Sequence, residues 1–276
     1  MILIRACEGH DELEACVQLQ VETWGYDQTD VIPRKAFLVM QRIGGQVIGA
    51  FDTSLPGTSP NGEPSSIVGF AMSLPGVKPS EKNGMGPLPY LHSHMLAVCE
   101  PYRNRGLGAQ LKLEQRREAL ARGIRYMEWT FDPLEIKNAF LNIHKLGVIV
   151  CGYRVNFYGV SSSRLQGGLP TDRLLAEWRL DSPRVTAILE GHPFAYRIEE
   201  RIQVPASIYQ WKASERDWER ALAVQLENRQ KFQKAFSQGL AVLGFARDAE
   251  GNGTFELGLL PQPESGITQQ GTTKNL

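Results

Sequence analysis

The chain has 276 residues, 42% of them hydrophobic, and its 30 basic residues balance its 30 acidic residues. This composition can bury the core of one large domain or two small ones. Because there is no net charge to attract a polyanion, we expect no nucleic acid or anionic membrane as partner and favour a small ligand held by a local cluster. There is no signal-peptide pattern, no apolar run near the roughly 20 residues of a membrane span, and no metal-ligand spacing among the four cysteines. These features predict a cytoplasmic protein with free thiols.

The first third of the chain predicts strands with one early helix. Residues 2–5 suit a strand, and a helix is expected from Asp11 because apolar residues follow at helical spacing. Residues 36–52 contain two β-rich runs around a glycine pair and predict a hairpin, and residues 66–74 predict a third strand. The segment between them and residues 75–89 are rich in Gly and Pro and predict loops. This part therefore predicts an antiparallel meander.

The middle of the chain predicts alternating strands and helices. Strands are expected at 91–98, 125–131 and about 148–155, and helices at 107–123 and near 134–146. An antiparallel first half joined to such crossovers predicts an α+β fold. We expect a mixed, mostly antiparallel central sheet flanked by helices.

The pattern changes near residue 180. A strand at 176–180 precedes a long helix at 214–239 and a final hairpin that turns at 251–253. We predict a C-terminal extension that contains this helix and hairpin, followed by a disordered tail. The predicted divisions are 1–180, 181–260 and 261–276.

One segment carries a chemical signal, since it follows a predicted strand and opens a predicted helix. Gly106 and Gly108 let backbone N–H groups at the helix start approach an anion, and Arg103 and Arg105 add positive charge. A diphosphate suits this arrangement, and a solvated helix start is the alternative interpretation. The third glycine of a dinucleotide motif and the GxxxxGK[ST] pattern are both missing, which disfavours other nucleotide folds.

Arg103-x-x-Gly106-x-Gly108 resembles the R/Q-x-x-G-x-G/A motif of the GNAT superfamily of CoA-dependent acyltransferases. The order of predicted elements over residues 1–160 is also similar. The resemblance implies acetyl-CoA or another acyl-CoA as co-substrate, and direct attack of an amine on the thioester. It also implies that strand 91–98 runs beside the pantetheine. The implied CoA contacts on the strand and loop are Leu96, Ala97, Val98, Arg103, Asn104, Arg105, Gly106, Leu107, Gly108 and Ala109.

The next predicted helix gives a second, weaker match. Asn138, His144 and Lys145 resemble the N-x-x-A…Y-x-K-x-G-F stretch that flanks the CoA arm in this family. Ile143 stands where many members carry the tyrosine that protonates the departing thiolate. Either another group supplies that proton or the thiolate leaves unassisted. The candidates for that group are His144, Tyr153 and Tyr158.

The proton acceptor and the acceptor pocket are also predicted from the resemblance. Glu128 is the expected base, with a salt-bridge partner as the alternative role, and His94 is a second candidate. His92 and His94 share a strand face, but with no third ligand we expect no metal. Aromatic and apolar residues near the first helix would form the pocket, unless they belong to the core. The predicted acceptor-site residues are Trp24, Tyr26, Phe70, Met72 and His92.

Two functions follow from these residues. The first is transfer of an acetyl or succinyl group to the primary amine of a small molecule. The second is a catalytically silent module that binds acyl-CoA as a sensor or serves as an interaction scaffold. The missing tyrosine and the C-terminal extension favour the second, and whether the chain forms a homodimer is left open.

Overall fold

A computed structural model describes residues 1–55, 66–79 and 87–260, so the predicted tail lies outside the described residues. The chain forms two compact units. The first comprises residues 1–129 with 161–165 and 179–181, and the second comprises most of the remainder. This division differs from the boundary that the change of pattern predicts at residue 180. All four cysteines are free.

The first unit is a five-stranded sheet with three helices. Its strands lie in the order β1-β2-β3-β4-β5, and all neighbours are antiparallel except β4 and β5, which are parallel. The last two residues of β5 belong to the second unit. The elements are β1 (Ile2–Ala6), α1 (Gly9–Trp24), α2 (Arg34–Arg42), β2 (Gln46–Asp52), β3 (Ser66–Lys78), β4 (Leu88–Val98), α3 (Leu107–Ala121) and β5 (Tyr126–Phe131).

The second unit is built around antiparallel strands in the order β7-β6-β9-β10-β8. It contains the long helix and the hairpin predicted for the C-terminal extension. The predicted fold class, a mixed and mostly antiparallel sheet flanked by helices, is therefore confirmed. The elements are α4 (Ile136–Ala139, continuing as a π-helical turn over Phe140–Lys145), β6 (Ile149–Arg154), β7 (Arg173–Arg179), α5 (Pro183–Leu189), β8 (Glu200–Val204), α6 (Ile208–Lys212), α7 (Trp218–Ser237), β9 (Leu240–Arg247) and β10 (Gly253–Leu259).

The hairpin predicted at 36–52 is wrong in its first half, where the chain forms α2. Pro33 lies immediately before the helix in an extended conformation, which is a helix-start signal that the apolar run obscured. Only Phe37 of this helix is buried, while Leu38 and Val39 are exposed. Three consecutive apolar residues therefore looked like a strand although only one of them faces the core.

Helices cover both faces of the first unit's sheet. On the α1–α2 face, the rings of Phe37 and Phe70 meet edge to face with 5.8 Å between centroids. On the α3 face, Leu107 and Leu111 pack against Ile48 and its neighbours. Removal of apolar surface from water stabilises both layers by roughly 25 cal/mol per Å². The sheet is thus held between two apolar layers.

β4 contains a bulge near its middle. Met72 of β3 pairs with Met95, and the next residue, Ser73, pairs with Ser93, so His94 is the extra residue. An extra residue reverses the alternation of side chains between the two faces. Ser93 accordingly contacts α3, while Met95 packs in the α1–α2 layer.

A buried ion pair links α7 to the loop before β7 in the second unit. The fully buried carboxylate of Asp172 accepts hydrogen bonds from Arg229 at 2.8 and 3.0 Å and from the Tyr153 hydroxyl at 2.6 Å. Burial and the contact with Asp172 raise the pKa of Tyr153. Its hydroxyl therefore keeps its proton and is committed to this contact.

We expect Arg229→Met to lower the free energy of unfolding by about 3–5 kcal/mol, because it leaves the Asp172 carboxylate buried without its charge partner. Arg220→Met, at an exposed arginine on the same helix, is the matched control and should change it by less than about 0.5 kcal/mol. Urea unfolding at pH 7 measures both. Equal losses in the two variants would contradict a specific role for the ion pair.

Candidate functional site

The loop between β4 and α3 is anchored by two side-chain hydrogen bonds. The Tyr102 hydroxyl donates to the Asp52 carboxylate at 2.7 Å, and Arg103 Nε donates to the Val98 carbonyl at 2.9 Å. Asn104 and Gly106 have φ values of 61° and 79° in the left-handed region. These positions turn the chain sharply into α3.

The backbone amides of this loop are unpaired. In the described part of the chain, no amide from Asn104 to Ala109 donates a hydrogen bond to the protein, and the first helical donor is Gln110, which reaches the Gly106 carbonyl at 3.1 Å. The unpaired amides at a helix N-terminus carry partial positive charge. Arg105 is exposed beside them, and its guanidinium lies 5.5 Å from the centroid of the Tyr102 ring. The loop therefore has the electrostatic properties of an anion-binding site.

β4 and β5 separate soon after they meet. The described residues show two parallel pairs between them, Leu91 with Met127 and His92 with Glu128. β4 remains paired with β3 as far as Val98. From Ser93 onward, β4 consequently has a backbone edge that β5 does not cover, and the bulge at His94 lies at its start.

Glu128 lies in a polar cluster at the point where the strands separate. Its carboxylate forms an ion pair with Lys78 Nζ, and its other oxygen lies 3.7 Å from His92 Nδ1. Burial raises the pKa of Glu128, but hydrogen bonds and charge from His92 and Lys78 outweigh this effect, so the net shift is downward. Glu128 is thus an anion at neutral pH.

The two histidines differ in environment. Their rings lie 6.1 Å apart. Desolvation and the nearby charge of His92 lower the pKa of His94, although its side chain reaches solvent. His94 is therefore neutral at pH 7 and can accept a proton. Within the residues that the structure describes, no group of three or more His, Cys, Asp or Glu side chains is arranged to hold a metal ion.

A lysine is buried beneath the point of separation on the α3 face. Lys112 Nζ donates to Ser93 Oγ at 2.7 Å and lies 3.5 Å from the centroid of a Trp129 ring. Ser93 Oγ in turn donates to Gln115 Oε1 at 3.0 Å. No carboxylate among the described residues forms an ion pair with Lys112, and complete burial lowers its pKa well below the usual value. Lys112 thus links the first uncovered residues of β4 and β5.

The predicted acceptor residues have different environments. Trp24 and Tyr26 are half-buried, and their rings stack with 5.4 Å between centroids. His92 lies in the Glu128 cluster. Phe70 and Met72 are fully buried in the α1–α2 layer, so they contribute to the core and have no exposed surface for an acceptor.

The candidates from the next helix and strand belong to the second unit. Asn138, His144 and Lys145 are exposed, and the His144 ring stacks on Phe140 with 4.5 Å between centroids. Ile143, at the position where the family motif has tyrosine, is buried. The Tyr153 hydroxyl donates its hydrogen to Asp172, as described above, so the predicted role as proton donor has no support in its contacts.

Sequence reasoning missed Lys78, Tyr90, Tyr126 and Lys112. The sequence predicts a loop at 75–89, but β3 continues to Lys78 and β4 begins at Leu88, which brings Lys78 into the sheet. The two-residue spacing of Tyr126 and Glu128 was the available signal, because such residues share a strand face. Lys112 gave no signal, since lysine is common on exposed helix faces.

No protein-family model matches the chain, and no curated protein matches it significantly in sequence. Solved structures do match. NAA60 of Arabidopsis thaliana in complex with acetyl-CoA is 16% identical, with a TM-score of 0.51, and the match covers 66% of this chain and 100% of that one. The ribosomal-protein-S18-alanine N-acetyltransferase of Escherichia coli has 16% identity, coverages of 66% and 96%, and a TM-score of 0.46. An acetyltransferase of the GNAT family from Streptococcus pneumoniae has 19% identity, coverages of 64% and 98%, and a TM-score of 0.45.

The chain has the fold of the GNAT superfamily, as the sequence predicts. The similarity to NAA60 and the order of strands in the first unit support this assignment. At 16% identity, the similarity establishes the fold and leaves the activity open. No helix in the described part of the chain is long and apolar enough to cross a membrane.

We expect Lys112→Met to stabilise the protein near pH 7 and to lose this advantage as the pH rises. The folded protein lowers the pKa of Lys112, so between that lowered value and about 10.4 the unfolded chain binds more protons. Wild-type stability therefore rises with pH in this interval, while the Met variant lacks this contribution. Melting temperatures of the wild type and Lys112→Met at pH 7, 8 and 9 test this prediction. Lys231→Met is the control for loss of one exposed positive charge. A difference that stays constant with pH would contradict the assignment.

Proposed function

We propose that this protein is a CoA-dependent N-acyltransferase that acylates the primary amine of a small molecule. The observation that supports it most directly is the row of unpaired amides from Asn104 to Ala109 at the start of α3. These amides adjoin a β4 strand whose edge is not covered by β5. An anion site next to a free strand edge suits a ligand that has both a diphosphate and a chain of amide groups.

The diphosphate of an acyl-CoA would bind the loop. Backbone N–H groups supply hydrogen bonds to it, and Arg105 adds a charge that is free of any ion pair with the described residues. Because the protein has no net charge, this local potential is what attracts an anion. The predicted CoA contacts at Arg103–Ala109 remain part of this proposal, although Arg103 also anchors the loop to the Val98 carbonyl.

The pantetheine would add to the free edge of β4. Its amides can pair with backbone groups at Leu96–Val98 in the manner of an added strand. The bulge at His94 turns backbone groups away from regular pairing at the start of this edge. A backbone N–H of β4 that points toward the bound thioester can polarise the thioester carbonyl. This contact stabilises the negative charge that develops on the carbonyl oxygen.

The reaction needs a neutral amine near the thioester. His94, neutral at pH 7, can accept the proton that the acceptor ammonium must lose, and Glu128 is an anion that can hold the ammonium or receive the proton. The amine nitrogen then forms a bond to the thioester carbon and loses its second proton to Glu128 or to water. The C–S bond breaks, and CoA leaves as a thiolate. The pKa of a thiol is about 8.5, so the thiolate can leave without a proton donor and take a proton from water.

The second candidate is a silent acyl-CoA-binding module. Ile143 at the motif's tyrosine position and the engagement of Tyr153 with Asp172 favour it, because neither residue supplies a proton donor. The presence of Glu128 and a neutral His94 at one point of the sheet favours the enzyme. We retain the enzyme as the leading proposal because departure of a thiolate does not require an acid.

We expect acetyl-CoA or succinyl-CoA to bind the wild type and Arg105→Glu to weaken that binding by about 10- to 100-fold. The reason is that a charge-assisted hydrogen bond contributes about 1.5–3 kcal/mol. Isothermal titration calorimetry at 0.1 M salt measures the Kd of each thioester. Arg117→Glu, which makes the same charge change at an exposed position of α3, should leave the affinity nearly unchanged. If neither thioester binds the wild type, the proposal is wrong.

We expect free thiol to be released from acyl-CoA only when an amine is added, and Glu128→Gln to reduce that release by about 10²- to 10⁴-fold. The variant should retain its affinity for acyl-CoA, since Glu128 lies outside the loop. Detection of released thiol with a panel of amines measures turnover. Tight binding of acyl-CoA without release for any amine would instead support the silent module.

A further inference from the structure

We propose that Glu128, Tyr90 and Tyr126 form a cage for the ammonium group of the acceptor, and that Lys78 occupies this cage when no acceptor is bound. The inference rests on the proposed function only in taking the acceptor to be an amine. It assigns the acceptor a chemical class, a primary ammonium at the end of an unbranched alkyl chain, and it assigns Lys78 the role of a competing occupant.

The ammonium of Lys78 is surrounded as a bound cation would be. Its Nζ forms an ion pair with Glu128 and lies 5.0 Å from the ring centroid of Tyr90 and 4.8 Å from that of Tyr126. The Tyr126 hydroxyl lies 3.5 Å from Nζ and 3.4 Å from the Glu128 carboxylate. Two aromatic faces and one carboxylate are the groups that recognise an alkylammonium ion.

The wall formed by Tyr90 depends on a glycine in the neighbouring strand. Gly76 pairs with Tyr90, and a Cβ atom at Gly76 would lie 2.5 Å from the Tyr90 ring. The ring therefore lies across the bare backbone of β3, which only glycine permits. This close approach holds the aromatic face beside Lys78 Nζ.

The cage is accessible, and the residue that occupies it lies at the end of a strand. The Lys78 side chain is 29% exposed, whereas that of Glu128 is 10% exposed. Lys78 is the last residue of β3, where its pairing with Leu88 ends the ladder. An external ammonium that binds Glu128 and the two rings would replace the contacts that Lys78 gives up, and the displaced Lys78 can be hydrated. The two ammonium groups can therefore compete for the cage.

The cage lies where an acceptor amine would be needed. Glu128 and its partner His92 form the last parallel pair before β4 and β5 separate. An ammonium beside Glu128 is therefore next to the free edge proposed for the thioester. The proposed base His94 is also near, because its ring lies 6.1 Å from that of His92, which contacts Glu128. An occupant held there as an ion needs to lose one proton before it can attack.

The chemistry of the cage selects among amines. Lys78 enters it through an unbranched alkyl stem, and the adjacent rings favour contact with methylene groups. An α-amino acid would bring its own carboxylate close to Glu128, and the two like charges would repel. A terminal alkylamine, such as a lysine side chain or an aliphatic polyamine, fits these requirements.

Chemical rescue tests the cage without any acyl-CoA. Lys78→Ala removes three carbons and the ammonium, so n-propylammonium is the matching probe. We expect it to raise the melting temperature of Lys78→Ala saturably, by roughly 2–4 °C, and to have a much smaller effect on the Lys78→Ala/Glu128→Gln double variant. 1-Propanol controls for alkyl binding, and Lys35→Ala controls for a general effect of the salt. Equal shifts of the melting temperature in all variants, or no shift in Lys78→Ala, would contradict the proposed cage.

A second measurement covers the case in which Lys78→Ala does not fold. In Lys78→Met, which keeps the alkyl stem, we expect the KM for n-alkylamines to fall about tenfold relative to wild type, because the competing ammonium is gone. An unchanged or higher KM would overturn the role of Lys78 as competitor. If n-propylammonium stabilises Lys78→Ala but no amine causes thiol release, the cage stands and acyl transfer is refuted. If amines cause thiol release but n-propylammonium does not stabilise Lys78→Ala, the cage is refuted and the transferase stands.

Discussion

The early separation of β4 and β5 is the constraint on which the rest of the first unit depends. Two parallel pairs hold these strands together, and among the described residues β4 then continues with only β3 beside it. An uncovered strand edge presents a row of N–H and C=O groups that can pair with another extended chain. The bulge, the unpaired loop amides and the Glu128 cluster all lie around this edge. A ligand with amide groups could pair with it, which is the physical basis of the proposal.

Charge in this protein is organised locally, since the chain as a whole is neutral. Positive potential from the amides and Arg105 is concentrated at the start of α3. At the point of separation, Glu128 instead provides negative charge, and it is screened by Lys78 and His92. An acyl-CoA and an ammonium would therefore be attracted to different ends of the same strand edge. This separation of charge would keep the two proposed substrates from competing for one position.

The sequence predicted the fold class and most strands and helices because their apolar periodicity matched their burial. The sequence prediction is wrong at α2, where apolar residues are exposed and their spacing therefore does not report which residues face the core. The sequence predicted the turn that opens α3 because glycine, arginine and a helix start are local features. Lys78 and Tyr90 could not be placed, since their approach to Glu128 depends on the register of three strands and not on any short motif. Chemical type alone predicts Phe70 and Met72 as pocket residues, and it does not distinguish a pocket wall from a core.

Lys112 shows how the fold maintains the gap between the strands. A chain of hydrogen bonds runs from Lys112 through Ser93 to Gln115, and Gln46 Nε2 joins it by donating to the Gln115 carbonyl at 2.9 Å. These contacts fix Ser93, the residue before the bulge, against α3. Lys112 also lies over the ring of Trp129, so the same side chain contacts both β4 and β5 on this face. An aliphatic side chain of similar length would fill the volume but could not orient Ser93. The buried amine thus orients Ser93, and we expect it to do so at a cost in stability.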